Sequence, residues 1–207
     1  MKKDYTYIGC VLDRSGSMGQ DSKILEAMNG FNVFVEEQKK LDGKADIKVV
    51  VFDDKIEDVY TGDINEAVVL NNDNFYPRGM TAYYDALGKT VSEIGESLRL
   101  MKEEDRPEKV IILVITDGLE NSSHEYTANY IKDMIQTQKN DYNWEFIFMG
   151  ADESAINEAK GFGIVNSVLY SNTLVGTRNA YTAMSNATTA YRTTGKVNLP
   201  DDLNEDE

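Results

Sequence analysis

Cysteine and histidine are almost absent from this sequence, and their scarcity excludes several kinds of functional site. The 207 residues include one cysteine and one histidine. One cysteine cannot form an internal disulfide framework or a multi-cysteine zinc site. One histidine cannot form a multi-histidine metal centre. The cysteine, Cys10, lies within an apolar run and is predicted to be a small buried side chain.

Basic residues are also in short supply. The sequence has 21 lysines and arginines against 36 aspartates and glutamates, which gives a formal net charge of −15. Nucleic-acid binding needs a basic surface, so the composition argues against a nucleic-acid partner. An acidic balance favours basic partners or cations.

Long apolar runs are missing as well. No stretch approaches the roughly 18 apolar residues of a membrane-spanning helix, so no association with a membrane is expected. The sequence starts with the basic residues Lys2 and Lys3, but Asp4 follows and the apolar run at 8–12 is too short for a signal peptide. We therefore expect a cytoplasmic protein.

The length and the hydrophobic pattern predict one α/β domain. Segments with strand character are predicted at 5–13, 45–52, 55–60, 109–116, 144–149 and 164–170. Helical segments are predicted at 22–41, 82–104, 124–139, 154–161 and 173–194. This alternation predicts a doubly wound, mostly parallel six-stranded sheet with helices on both faces. The single domain covers residues 1–195, and the acidic tail at 196–207 is predicted to be disordered.

One edge strand of this sheet is expected to run against the others. Only Asp53 and Asp54 separate the second and third predicted strands. That gap is too short for a crossover helix, so these strands should pair as an antiparallel hairpin. Ligands of such sheets bind at the carboxyl ends of the parallel strands, where the strand order reverses.

Side chains with oxygen atoms follow two of the predicted strands. Asp13, Ser15 and Ser17 come after the first strand, at a spacing that points all three to one side of an extended loop. Asp117 ends the most apolar strand, and Thr81 places a hydroxyl directly before a helix. Two carboxylates and three hydroxyls make an all-oxygen set, which suits Mg²⁺ or Mn²⁺.

These elements resemble the metal-ion-dependent adhesion site (MIDAS) of von Willebrand factor A (vWA) domains. The family pattern is Asp-x-Ser-x-Ser, a later Thr and a later Thr-Asp-Gly, matched here by Asp13-Arg14-Ser15-Gly16-Ser17, Thr81 and Thr116-Asp117-Gly118. Met80 stands where the family commonly has a second glycine. The resemblance covers about residues 5–194. It implies direct coordination of the metal by the three hydroxyls, with the two carboxylates holding metal-bound waters.

The resemblance also implies a binding module in which an Asp or Glu of a partner protein completes the metal shell. In outline the chain is similar to stand-alone bacterial or phage members, and some bacterial members operate beside AAA+ ATPases. We therefore predict a metal-dependent protein-binding module and not an enzyme, with an AAA+ ATPase or an assembly component among the partners. Arg14 is expected on a solvated rim, where it and Arg78 would attract the partner's acid.

Three alternatives remain open. The segment 13–17, taken alone, is typical of a polar turn before a helix. Ser17, Asp117 and His124 occur in the order of a hydrolase triad, although Ser15 stands where a nucleophile elbow needs glycine; a metal-assisted hydrolase would lack a clear general base. The third alternative is a structural subunit of a bacterial or phage assembly, in which the metal site serves subunit contacts.

Overall fold

The computed structural model describes residues 1–200 and 203. Within them the strands are β1 (Lys2–Asp13), β2 (Lys44–Phe52), β3 (Ile56–Asp63), β4 (Pro107–Thr116), β5 (Glu145–Gly150) and β6 (Asn166–Leu169). The α-helices are α1 (Lys23–Lys39), α2 (Tyr83–Leu100), α3 (Ala128–Tyr142), α4 (Glu153–Gly161) and α5 (Leu174–Thr194). The order of elements is the predicted one. The largest differences are at the end of α2 and the start of α3.

The strands form one sheet in the order β3-β2-β1-β4-β5-β6. All neighbouring pairs are parallel except β2 and β3, which pair as the predicted antiparallel hairpin. The prediction of a doubly wound, mostly parallel six-stranded sheet with one antiparallel edge strand is therefore confirmed. The outer strands are β3, which carries three acidic residues, and β6, which has four residues.

Two apolar clusters lie on opposite faces of the sheet. One is formed with α1 and α5, and the other with α2, α3 and α4. Successive residues of β4 alternate between them: Ile111 belongs to the first cluster and Ile112 to the second. A central strand covered on both faces has to be apolar at every position, which explains the unbroken apolar run of β4. Cys10 is buried in the first cluster, as predicted.

Side-chain hydrogen bonds set the two helix ends that the sequence pattern places incorrectly. Arg106 donates hydrogen bonds to the carbonyl oxygens of Arg99 and Met101 at 3.2 Å, which caps α2 at residue 100 and not at 104. The helix α3 begins at Ala128 because the preceding backbone is bound to Asp85 on α2 and because Thr127 caps the helix. Asp85 precedes the backbone groups that it binds by 39 to 41 residues, so the local sequence around α3 does not reveal it.

Helices α1 and α5 are packed so closely that one position of α1 has no room for a side chain. A Cβ built on Gly30 would lie 2.6 Å from Tyr181 Cβ on α5. In contrast, a Cβ on Gly95 in α2 would meet only Gln138 Nε2, at 4.0 Å. The glycine at position 30 therefore sets the distance between the two helices.

Alanine substitutions at these two glycines are expected to have opposite effects on stability. Gly30→Ala should lower the free energy of unfolding by about 1–2 kcal/mol, because overpacking outweighs the gain in helix propensity. Gly95→Ala should raise it by up to about 1 kcal/mol, because only the propensity changes. Urea unfolding of both variants measures the difference. Equal stabilities would contradict the close packing at Gly30.

Three apolar residues after α5 pack against the core. Val197, Leu199 and Leu203 are partly buried against the cluster formed with α1 and α5. Positions 201, 202 and 204–207 lie outside the described residues, so the disorder expected there stays a prediction. Among the helices of the described part, none has both the length and the apolar character needed to cross a bilayer.

Candidate metal-binding site

The predicted ligands lie at the point where the strand order reverses. From β1 the chain continues to β2 on one side, whereas β4 continues to β5 on the other. The strands β1 and β4 are parallel neighbours, so their carboxyl ends, Asp13 and Thr116, meet at one edge of the sheet. Crevices at such a position are the usual ligand sites of open α/β sheets.

Asp13 is fixed by two hydrogen bonds at this edge. Its Oδ1 accepts from the backbone N–H of Ser15 at 2.6 Å, and its Oδ2 accepts from Thr116 Oγ1 at 2.5 Å. Burial raises the pKa of Asp13 to about 6, and Asp117 adds to the rise, while the bonds from Thr116 and Ser15 oppose it. The carboxylate is therefore held in one orientation by the ends of both central strands.

The two serines of the loop after β1 connect Asp13 to Asp117. Ser15 Oγ and Ser17 Oγ are 3.0 Å apart, and Ser17 Oγ donates to Asp117 Oδ1 at 2.5 Å. Ser15 and Asp117 are buried, and Ser17 is half-buried. The structure thus brings these predicted residues into one continuous polar cluster.

Thr81 reaches the same cluster from the loop before α2. Its backbone N–H donates to Asn121 Oδ1 at 2.8 Å, and its carbonyl oxygen accepts from the N–H of Asn121 at 3.0 Å. A Cβ built on Gly118 would lie 3.4 Å from Thr81 Oγ1 and 4.0 Å from Ser17 Oγ. Both hydroxyls therefore border the same space beside Gly118, which the missing side chain leaves free.

The donor set fits a hard divalent cation that takes hydroxyl ligands. In residues 1–200 and 203, no group of three or more His, Cys, Asp or Glu side chains is placed to hold a metal. The cluster has two carboxylates and three hydroxyls, so hydroxyls would be the majority of the groups around the ion. Adjacent ligands of Mg²⁺ are about 3.0 Å apart when each lies about 2.1 Å from the ion. The separation of 3.0 Å between Ser15 Oγ and Ser17 Oγ agrees with this spacing.

One member of the cluster, Lys23, was not among the predicted residues. This first residue of α1 is 2% exposed, and its Nζ donates to Asp117 Oδ2 and to Asn172 Oδ1. A signal was present, because Lys23, Ala27 and Phe31 follow one another at a spacing of four and share the buried face of α1. The lysine brings a positive charge into the site.

Arg14 is not the solvated rim residue that was predicted. It is 0% exposed, and its Nε lies 2.8 Å from Asp53 Oδ2, which also accepts from Arg78 Nε at 2.7 Å. Its Nη2 lies 2.8 Å from Glu57 Oε1 but lacks a well-oriented hydrogen bond. The prediction was wrong because the partner acids come from β3 and the turn before it. Since two arginines face two acids, the group gives little free positive charge to attract a partner.

The residues of the alternative hydrolase triad are arranged differently from a catalytic triad. Ser17 donates its hydroxyl to Asp117, whereas a triad serine donates to histidine. His124 is exposed, and its backbone N–H donates to Asp85. In the described part of the chain, no hydrogen bond joins the imidazole of His124 to Ser17 or Asp117.

Solved structures of vWA proteins have the same fold as this chain. A von Willebrand factor type A protein from Catenulispora acidiphila superposes with a TM-score of 0.64 at 16% identity, over 89% of this chain and 43% of that one. The pilus adhesin SpaC from Lactobacillus rhamnosus GG gives a TM-score of 0.62 at 14% identity, over 92% and 31%. The chain has the vWA fold and spans less than half of either neighbour.

A third neighbour has nearly the same extent as this chain. The conserved hypothetical protein BatB from Bacteroides thetaiotaomicron gives a TM-score of 0.54 at 16% identity, over 89% of this chain and 98% of that one. No protein-family model matches the sequence, and no curated protein is similar to it. The similarity therefore lies in the fold.

Proposed function

We propose that this protein is a binding module that holds Mg²⁺ or Mn²⁺ and uses it to recognise an Asp or Glu of a partner protein. One observation carries the proposal: three separate segments of the sequence, which hold Asp13, Ser15 and Ser17, then Thr81, then Asp117, converge at the carboxyl ends of β1 and β4. The vWA fold supports it, and so does the fact that one structural neighbour is a pilus adhesin.

The five residues would have two kinds of role in the proposed site. Ser15, Ser17 and Thr81 would bind the metal through their hydroxyl oxygens, which requires the protons of these hydroxyls to point away from it. Asp13 and Asp117 would hold metal-bound waters, as the resemblance implies. A bound divalent cation would supply an electrophilic centre with an open position for a carboxylate from outside. The hydrogen bonds from Ser15 and Thr116 orient Asp13 for this role.

The net negative charge of the protein limits the distance over which an acidic partner can be attracted. The net charge of −15 opposes an acidic partner at long range, but physiological salt screens charges beyond about 8 Å. Recognition should therefore depend on the metal contact itself, and a suitable partner presents one exposed acid on an otherwise basic surface. An AAA+ ATPase or an assembly component stays a prediction from the resemblance.

The proposed role is binding without catalytic turnover. The hydroxyl of Ser17 is engaged by Asp117, and the exposed side chain of His124 is not hydrogen-bonded to either. A protein-binding role makes no use of a general base. The hydrolase alternative has no specific observation in its favour.

Removal of one predicted ligand should weaken metal binding. Titration calorimetry with Mg²⁺ and Mn²⁺ is expected to give one site in the wild type and an affinity lower by about tenfold or more in Thr81→Ala, because a direct ligand is lost. The control is Thr137→Ala, an exposed threonine of α3, which should bind like the wild type. Unchanged binding in Thr81→Ala would contradict the proposed site.

The same variants test the partner. Wild-type protein should retain a partner in Mg²⁺ and release it in chelator, whereas Thr81→Ala should fail to retain it in either condition. Replacement of a single acid of that partner by alanine should also abolish binding. A partner that binds equally in chelator would show that recognition uses another face of the domain.

A further inference from the structure

A buried lysine lies inside the proposed metal site. Lys23 Nζ donates to Asp117 Oδ2 and, at 2.6 Å, to Asn172 Oδ1 in the loop before α5. Ser17 Oγ donates to the other oxygen of the same carboxylate. Both oxygens of Asp117 therefore have partners within the protein itself.

This lysine supplies the positive charge that the two carboxylates of the site need. Asp13 and Asp117 are both buried, and buried carboxylates without a counter-charge are costly. The neighbouring arginines are paired with acids of their own. In the described part of the chain, Lys23 is thus the cation in hydrogen-bond contact with the predicted ligands.

The backbone before α1 adopts an unfavourable conformation that directs Lys23 inward. Asp21 and Ser22 have φ angles of 50° and 61°, in the left-handed region that disfavours side chains. Ser22 precedes the helix without capping it through its side chain. Lys23 then begins the helix on its buried face, with Ala27 one turn later. The turn therefore places the ammonium group of Lys23 inside the site. If α1 began on its solvent-facing side, this group would lie outside the site.

We infer that Lys23 is an internal cation that competes with a divalent metal ion for Asp117. The inference rests on the proposed function. In metal-free protein the ammonium group balances the carboxylate and keeps the site folded. When a divalent ion binds, the ammonium group must leave or share Asp117 Oδ2, and two positive charges then repel each other at short range in a poorly solvated site. Lys23 therefore lowers the affinity of the site for metal.

Removal of the lysine charge tests this competition. Lys23→Met removes the ammonium group, and Lys23→Gln removes the charge but keeps a hydrogen-bond donor, so that it preserves more of the local contacts. Calorimetric titration with Mg²⁺ alone should give an affinity about tenfold or more tighter in both variants than in the wild type. In chelator, Lys23→Met should melt at a lower temperature than the wild type, and Mg²⁺ should raise its melting temperature by more.

Lys48 provides a matched control. It is also a buried lysine, 6% exposed, and its Nζ lies 2.6 Å from Asp58 Oδ1 and 2.8 Å from Glu93 Oε2, in the middle of β2. Lys48→Met should lower the melting temperature equally with and without Mg²⁺, and it should leave the Mg²⁺ affinity unchanged. The control separates the general effect of losing a buried ion pair from the specific effect of losing the pair between Lys23 and Asp117.

The outcomes distinguish this inference from the proposed function. If the wild type binds Mg²⁺ and both Lys23 variants bind it equally or more weakly, the competition is refuted and the metal site stands. If the wild type fails to bind but the variants bind, Lys23 occupies the site permanently, which supports the inference and refutes the proposed function. If no form binds Mg²⁺, both are refuted.

Discussion

Replacement of Asp53 by alanine is expected to lower the free energy of unfolding by about 3–5 kcal/mol. The Asp53 carboxylate is fully buried and accepts from both Arg14 Nε and Arg78 Nε through Oδ2, and from the N–H of Lys55 through Oδ1. Its removal leaves the buried guanidinium of Arg14 without its buried counter-charge, so that only the more exposed Glu57 remains to pair with it. Chemical denaturation with urea measures the loss.

A surface ion pair provides the contrast for this prediction. Glu96 and Arg99 are neighbours on α2 with exposed side chains, and Glu96→Ala should leave the stability nearly unchanged, because solvent and salt screen such pairs. A second test combines Asp53→Ala with Arg14→Met. The double variant should be more stable than Asp53→Ala alone, since no buried charge then lacks a partner. If Asp53→Ala unfolds like Glu96→Ala, the buried network is not a source of stability.

Replacement of Asp85 by alanine is expected to cost about 3 kcal/mol. The Asp85 carboxylate on α2 accepts three backbone N–H groups, from His124 at 2.7 Å, Glu125 at 3.0 Å and Tyr126 at 2.8 Å. It therefore fixes the loop that leads from Asp117 to α3. The expected loss is smaller than the sum of three bonds, because a released loop recovers hydrogen bonds with water.

A simple helix cap is the control for Asp85. Asp152 accepts one N–H, from Ser154 at 2.7 Å, at the start of α4, so Asp152→Ala should cost about 1 kcal/mol. Asp85→Ala should also weaken Mg²⁺ binding, since Asn121 in the released loop holds the backbone of Thr81. Hydrogen-exchange rates across 118–126 would show the release directly. Equal stability of the two variants would contradict the role assigned to Asp85.

Structural features that produce a regular pattern in the sequence could be predicted from it. The alternation of strands and helices indicated a sheet covered on both faces, and the short gap at Asp53 and Asp54 indicated the hairpin; both predictions are confirmed. Four of the five predicted ligands end or follow β1 and β4, and parallel strand ends meet at one edge of a sheet. The fifth, Thr81, was predicted from its hydroxyl directly before α2. The structure brings them together, and their metal binding stays a prediction.

Charged residues with distant partners could not be predicted in the same way. The acids that pair with the buried Arg14 lie 39 and 43 residues further along the chain. No local pattern in the loop after β1 indicates them. Lys23 did carry a signal in its spacing with Ala27, but a lysine at the start of a helix is usually solvated. Both errors come from the general expectation that charge lies on the surface, which fails where ion pairs form between segments distant in sequence.

The two edge strands make pairing between copies of this protein unfavourable. The exposed backbone edge of a sheet can add a strand from another molecule, which is a common start of aggregation. Here β3 carries Glu57, Asp58 and Asp63 along one edge, and β6 offers only the four residues Asn166–Leu169 at the other. A second copy would have to approach the ion pairs that Glu57 and Asp58 form at β3, and it would gain few hydrogen bonds at β6. Both edges of the sheet therefore resist the growth of fibrils without a further element to cover them.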